Sequence, residues 1–91
     1  MLTITRRKDQ NVCIGDDTLL KVLRASKGTV DFEIIKAGKS QVYLNRKEDC
    51  RVGLGGKNKV LVVGVRSNTV RFGFDTKQQI AREELITAPG A

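Results

Sequence analysis

No histidine and no tryptophan occur anywhere in this 91-residue chain. Without histidine the commonest general base is missing, and so is the commonest metal ligand. Two cysteines remain, Cys13 and Cys50, with no CxxC spacing; they are too few for a zinc site without His and read as buried or half-buried thiols in a reducing cytoplasm. The longest apolar run, Val60–Val65, is far too short to span a membrane. The chain does not open on a charged n-region followed by an apolar h-region, so a secretion signal is not expected. GLGGK at Gly53–Lys57 lacks the second part of a phosphate-binding loop and reads as a turn. Asp16–Asp17 and Glu83–Glu84 read as turn and cap residues, not as an acid/base couple. These absences point away from an enzyme, a metal site or a bound cofactor.

What is present suits a single small domain. Hydrophobic residues make up 40% of the chain, too many for a disordered segment. Aromatics are only 4%, so the core has to rest on Val, Leu and Ile. Seventeen Lys and Arg oppose ten Asp and Glu, a net charge of +7. Such a balance favours a polyanionic partner, nucleic acid or an anionic membrane, although solubility alone also accounts for it.

Two-residue alternation dominates and predicts an all-β chain of nine short strands. Leu2, Ile4 and Arg6 share one face of the first, with Thr3, Thr5 and Arg7 on the other. Val12–Ile14 ends at the turn Gly15-Asp16-Asp17, and Leu19–Leu23 follows. Val30, Phe32 and Ile34 point inward from the fourth strand, and Val42–Arg46 makes the fifth. Val52–Leu54 precedes Val60–Val65, which is apolar on both faces and reads as a doubly covered strand. Val70, Phe72 and Phe74 face one way, Arg71 and Gly73 the other. Gln79–Arg82 closes the series, with one helical turn expected at Glu83-Glu84-Leu85 and a flexible tail at 87–91.

The two halves align without a gap at an offset of 40. Arg6/Arg46, Asp9/Asp49, Val12/Val52, Gly15/Gly55, Val22/Val62, Thr29/Thr69, Val30/Val70 and Phe32/Phe72 are identical pairs. Chance would supply roughly two at ordinary residue frequencies. Ile4/Leu44, Arg7/Lys47, Ile14/Leu54 and Leu23/Val63 are chemically similar. A repeat of this length implies two copies of one supersecondary unit on a shared core.

The opening MLTITRRKDQNVCIGDD resembles the start of the carbon storage regulator family (CsrA/RsmA). VLVVGVRSNTVRFGF resembles that family's third and fourth strands, and AREEL its closing segment. The resemblance covers a unit of about 1–49 and another of about 41–86, within one domain, 1–86. It implies a CsrA-like intertwined β-sandwich. Family members are bacterial homodimers whose strands interleave, and each binding site pairs the first strand of one protomer with the last strand of the other. They recognise GGA motifs in mRNA leaders or small regulatory RNAs and act as post-transcriptional regulators of translation or mRNA stability. Carried onto this chain, the RNA-binding residues are Leu2, Ile4, Thr5, Arg6 and Arg7 with Gln78, Gln79, Ile80, Ala81 and Arg82. Strand backbone groups can read the edges of splayed bases, and arginine can serve phosphates or stack. The connection Asp75-Thr76-Lys77 is shorter than the family's and lacks its proline.

Two complete units need ten strands, and the chain supplies nine. Val42–Arg46, within QVYLNRKED, aligns with the first strand of a unit and, through Arg46 and Arg82, with the last. The expected architecture is therefore a monomeric pseudo-dimer whose units share this central strand. It would carry one RNA site between the first strand and Gln79–Arg82, and a vestigial second site at Leu44, Arg46 and Lys47. A family protomer with an insertion between Asp17 and Lys59, still forming a homodimer, is the rival arrangement. A protein-interaction module or modulator of a true family dimer, and a generic basic binder of DNA or membrane surfaces, are the competing functions.

Overall fold

The computed structural model describes residues 2–76 and 80–82. They form nine antiparallel strands: β1 (Leu2–Arg7), β2 (Asn11–Ile14), β3 (Thr18–Ser26), β4 (Thr29–Lys36), β5 (Lys39–Arg46), β6 (Arg51–Gly55), β7 (Asn58–Val65), β8 (Thr69–Asp75) and β9 (Ile80–Arg82). No helix occurs among the described residues, and the helical turn expected at Glu83–Leu85 lies outside them, as does the tail at 87–91. The strands make two sheets, a four-stranded one in the order β1-β8-β7-β6 and a five-stranded one in the order β5-β4-β3-β2-β9.

The order shows an exchange. β1 leaves the first half of the chain and pairs with β8 of the second, Leu2 opposite Phe74 and Arg6 opposite Val70. β9 leaves the second half and pairs with β2 of the first, Ile14 opposite Ile80 and Val12 opposite Arg82. Neither half is closed without the other.

The sequence repeat is also a repeat of hydrogen bonding. Asp9 N–H donates to the Val22 carbonyl at 2.8 Å, and Asp49 N–H to the Val62 carbonyl at 2.8 Å. Val22 N–H donates to Gln10 and Val62 N–H to Cys50, again the same bond moved by one repeat. Asp9 and Asp49 adopt φ of 67° and 72°, a left-handed conformation that aspartate tolerates better than most residues. β3 is bulged between Val22 and Arg24, opposite Phe32 and Asp31. β7 is bulged between Val62 and Gly64, opposite Phe72 and Arg71.

Inward-facing residues of both sheets make one core. Val12, Leu20, Val22, Phe32, Val70 and Phe72 are completely buried. Phe32 and Phe72, equivalent positions of the repeat, meet each other edge to face at 5.5 Å between ring centroids. The pseudo-twofold axis thus runs through the centre of the core. β7 departs from expectation: Val60 and Val62 are buried, but Leu61 and Val63 are only half-buried. A sandwich covers one face of each sheet, so β7 is not doubly covered.

The strand at the seam resolves differently from simple alternation. Among the described residues β5 pairs only with β4 and forms the edge of the five-stranded sheet, as β1 pairs only with β8 at the edge of the other. Central in the chain, it is peripheral in space, and it takes the role of a first strand. It also carries a bulge that β1 lacks. Arg46 opposes Val30 and Tyr43 opposes Phe32, which leaves Leu44 and Asn45 together opposite Asp31. Asn45 sits at φ 56°, and its N–H donates to Asp31 Oδ1 at 2.8 Å. Asparagine accepts this conformation, whereas the β-branched Thr5 at the matching place on β1 does not. The bulge turns Tyr43 inward to stack on Phe32 at 5.1 Å and pushes Leu44 outward, 57% exposed. The likeness of Ile4 to Leu44 therefore does not extend to packing.

The β4–β5 turn is a two-residue loop with positive φ at both Ala37 (50°) and Gly38 (80°). That conformation suits the twist of the hairpin, but alanine bears a steric penalty in it. Ala37→Asn is expected to raise stability by about 0.5–1 kcal/mol, read as a higher urea midpoint at unchanged slope.

Candidate nucleic-acid interface

β1 divides its residues by parity. Ile4, 7% exposed, and Arg6, 5% exposed, point into the sandwich. Arg6 shares the core-side face opposite Val70, and its Nε donates to the Thr5 carbonyl at 2.9 Å. Placed among the RNA-binding residues, with a solvated strand end as the plainer expectation, Arg6 is instead a buried cation. Thr3, Thr5 and Arg7 lie on the solvent face. Leu2 has the inward parity but lies at the end of the strand and is half exposed. The exposed set from the first-strand group is thus Leu2, Thr5 and Arg7.

On the other side, β9 places Ala81 opposite Cys13 and Arg82 opposite Val12, while Ile80 packs against the core. Gln78 and Gln79 lie outside the described residues. β1 and β9 do not pair with each other; they are the edges of different sheets. The pseudo-twofold relates β1 and β2 to β5 and β6. The latter two line a common cleft through Gln41, Tyr43, Gly53 and Leu54. β9 occupies the outer edge of β2.

The cross-strand pairing adds residues that sequence patterning did not single out. Thr5 lies directly opposite Arg71, and Arg7 opposite Thr69. Thr5, Thr69 and Arg71, with Glu48, Gly64 and Arg66, line a hollow of about 530 Å3 on the outer face of the four-stranded sheet. Its pseudo-symmetric counterpart is lined by Arg24, Ser26, Thr29, Asp31 and Asn45 and encloses only about 90 Å3. Three exchanges explain the contrast. Gly64 stands where Arg24 fills the twin, Arg66 stands for Ser26, and Arg71 stands for the carboxylate of Asp31. The hollow beside β1 is therefore the larger, lined by Arg66 and Arg71 together with Glu48, and its twin is small and lined by Arg24 and Asp31. The same sheet presents Arg51 and Lys59 beside Asp75.

Leu44, Arg46 and Lys47, the vestigial set, are all exposed. Arg46 lies over the Tyr43 ring, 5.5 Å from its centroid, at the repeat position of the buried Arg6. Beyond β5, the outer edge of β6 has no strand partner among the described residues.

Cys13 and Cys50 are half-buried and not in a disulfide, as the sequence suggested. Among the described residues no helix is long and apolar enough to cross a membrane. Protein-family models, curated proteins and solved structures were all compared with the chain, and none matches it.

Proposed function

We propose that the chain is a single-chain, pseudo-dimeric relative of the carbon storage regulator family. On this reading it binds GGA-type RNA motifs at one site and regulates translation or mRNA stability in a bacterial cytoplasm. The observation that carries the reading is the exchange of first strands. β1 edges the sheet of β6, β7 and β8, β5 edges the sheet of β2, β3 and β4, and β9 crosses back to β2. Interleaving of this kind is what the resemblance of MLTITRRKDQNVCIGDD implies, and it arises here within one chain. The RNA site comprises the solvent face and free edge of β1, with Leu2, Thr5 and Arg7, and the segment from Gln78 to Arg82. Free strand-edge N–H and C=O groups suit the Watson–Crick edges of unstacked bases. Arg66 and Arg71 extend the site as a phosphate-holding flank. One site per chain is supported by the outer edge of β6, on which no strand lies among the described residues.

The test is a titration with an RNA hairpin carrying GGA in its loop and with a scrambled-loop hairpin, each at two salt concentrations. At least a tenfold preference for GGA, persisting at the higher salt, is expected. Equal affinities that fall together with salt would reduce the protein to a general polyanion binder.

A further inference from the structure

The two sheets differ by one strand. On β2 the outer edge is filled by β9, Cys13 opposite Ala81 and Ile14 opposite Ile80. The matching edge of β6 is Val52–Leu54, paired with β7 in the register of β2 on β3 as far as Gly53, with a bulge between Gly53 and Gly55. No described strand occupies it. The bond from Val62 N–H to the Cys50 carbonyl turns Cys50 toward β7. Alternation then directs the N–H and C=O of Arg51 and Gly53 outward, away from β7.

The vacancy has a shaped floor. A cleft of about 520 Å3 runs between β6 and β5, lined by Ile34, Lys36, Lys39, Gln41, Tyr43 and Leu54. In the twin edge Ile80 packs against the core from the incoming strand. A Cβ built on Gly53 would meet nothing within 4 Å. Lys36 and Lys39 line the cleft and are exposed, and Arg51 and Lys57 are exposed on β6 and on the turn after it. Lys36 Nζ donates to the Leu54 carbonyl at 2.6 Å, holding one cation at the mouth of the cleft. Basic side chains are a usual protection of a free edge against a second copy of itself. They equally select an acidic strand.

We propose that the outer edge of β6 receives an extended acidic peptide from a protein partner, which adds as the fifth strand of the four-stranded sheet. In the register of β9, one apolar side chain enters the cleft beside Leu54, and an acidic residue falls opposite Arg51. Main-chain bonds to Gly53 supply the affinity, and the lysine rim supplies the sign. This docking edge is distinct from the RNA face of β1 and does not depend on it.

The chain's own β9 segment provides the probe, because it already fits the twin edge and continues into Glu83–Glu84. A capped peptide QQIAREELI is titrated into the isotope-labelled full chain and followed by amide shifts and hydrogen exchange. Saturable shifts at Arg51–Leu54 and slowed exchange of the Gly53 amide are expected. Proline at the central alanine of the peptide is expected to abolish both, since it removes the donor to Gly53. Gly53→Pro in the protein is expected to do the same; the peptide variant gives the answer even if that protein fails to fold. Replacing both glutamates by lysine is expected to weaken binding at least fivefold. The proposal is overturned by any of these results: no saturation by about 1 mM peptide, shifts at Asn11–Ile14 instead, equal binding of the lysine peptide, or a Gly53 amide protected before peptide is added. A concentration-dependent dimer abolished by Gly53→Pro would assign the edge to a second copy. Displacement of the peptide by the GGA hairpin would assign it to RNA.

Discussion

Phe72→Ala is expected to lower stability by about 3–5 kcal/mol, and Phe32→Ala by a similar amount. Both rings are fully buried and they meet edge to face at the pseudo-twofold axis. Each truncation opens a cavity that both sheets border, so collapse around it has to move two layers at once. A domain of this size has only about 5–15 kcal/mol in total, and either change takes a large part of it. Because the rings touch, the double variant is expected to lose less than the sum, by about 0.5–1.5 kcal/mol. Urea unfolding at constant slope measures all three. Phe32 also stacks on Tyr43, so Tyr43→Ala is expected to couple to Phe32 and not to Phe72. A loss below about 1 kcal/mol at either phenylalanine would mean that the two halves are held elsewhere.

Arg7→Ala and Arg82→Ala are each expected to weaken binding of the GGA hairpin by about 1–3 kcal/mol, a ten- to hundredfold rise in Kd. Arg71→Ala, on the flank beside Thr5, is expected to weaken GGA and scrambled hairpins alike and to reduce the salt slope by about one. Arg46→Ala is expected to leave affinity unchanged. Arg46 lies on a Tyr43 ring at an edge that faces a vacant strand position, and its loss removes only an exposed cation–π contact. Arg6 is the wrong choice of probe. Its side chain is buried, so an effect of Arg6→Ala on binding would be inseparable from an effect on packing. Circular dichroism melts of each variant separate the two kinds of loss. Arg46→Ala weakening binding as much as Arg7→Ala would restore a second working site.

Strand count, repeat offset and most of the core were legible because alternation of period two carries them. Val30, Phe32 and Ile34 face inward as the pattern requires, and so do Val70, Phe72 and Phe74. The seam strand misled because its error is one residue. A single extra residue at Leu44–Asn45 reverses the face of everything before it, and no alternation pattern announces such a bulge. The cue was the pair of exchanges Thr5 to Asn45 and Arg71 to Asp31: a residue at ease with positive φ, and a carboxylate to receive its amide. At the interface, Arg7 was visible as an exposed strand cation. The burial of Arg6 was visible too, since it shares the face of Leu2 and Ile4. The resemblance drew attention to its charge instead. Arg71 was correctly turned outward by pattern, but its position opposite Thr5 belongs to a pairing between strands from the two ends of the chain.

That pairing gives the molecule an unequal history of assembly. β5 meets β4 across a two-residue turn, and β2, β3, β4 and β5 follow one another as neighbouring hairpins. β1, made before the other strands, has no sheet to join until β8 has been made. Its closure spans most of the chain, as does that of β9 onto β2, so both pairings bear a large loop entropy and belong among the later steps of folding. During synthesis β1, the strand proposed to read RNA, stays without its sheet partner until β8 exists, whereas β5 can pair with β4 at once. The two edge strands are thus separated in time.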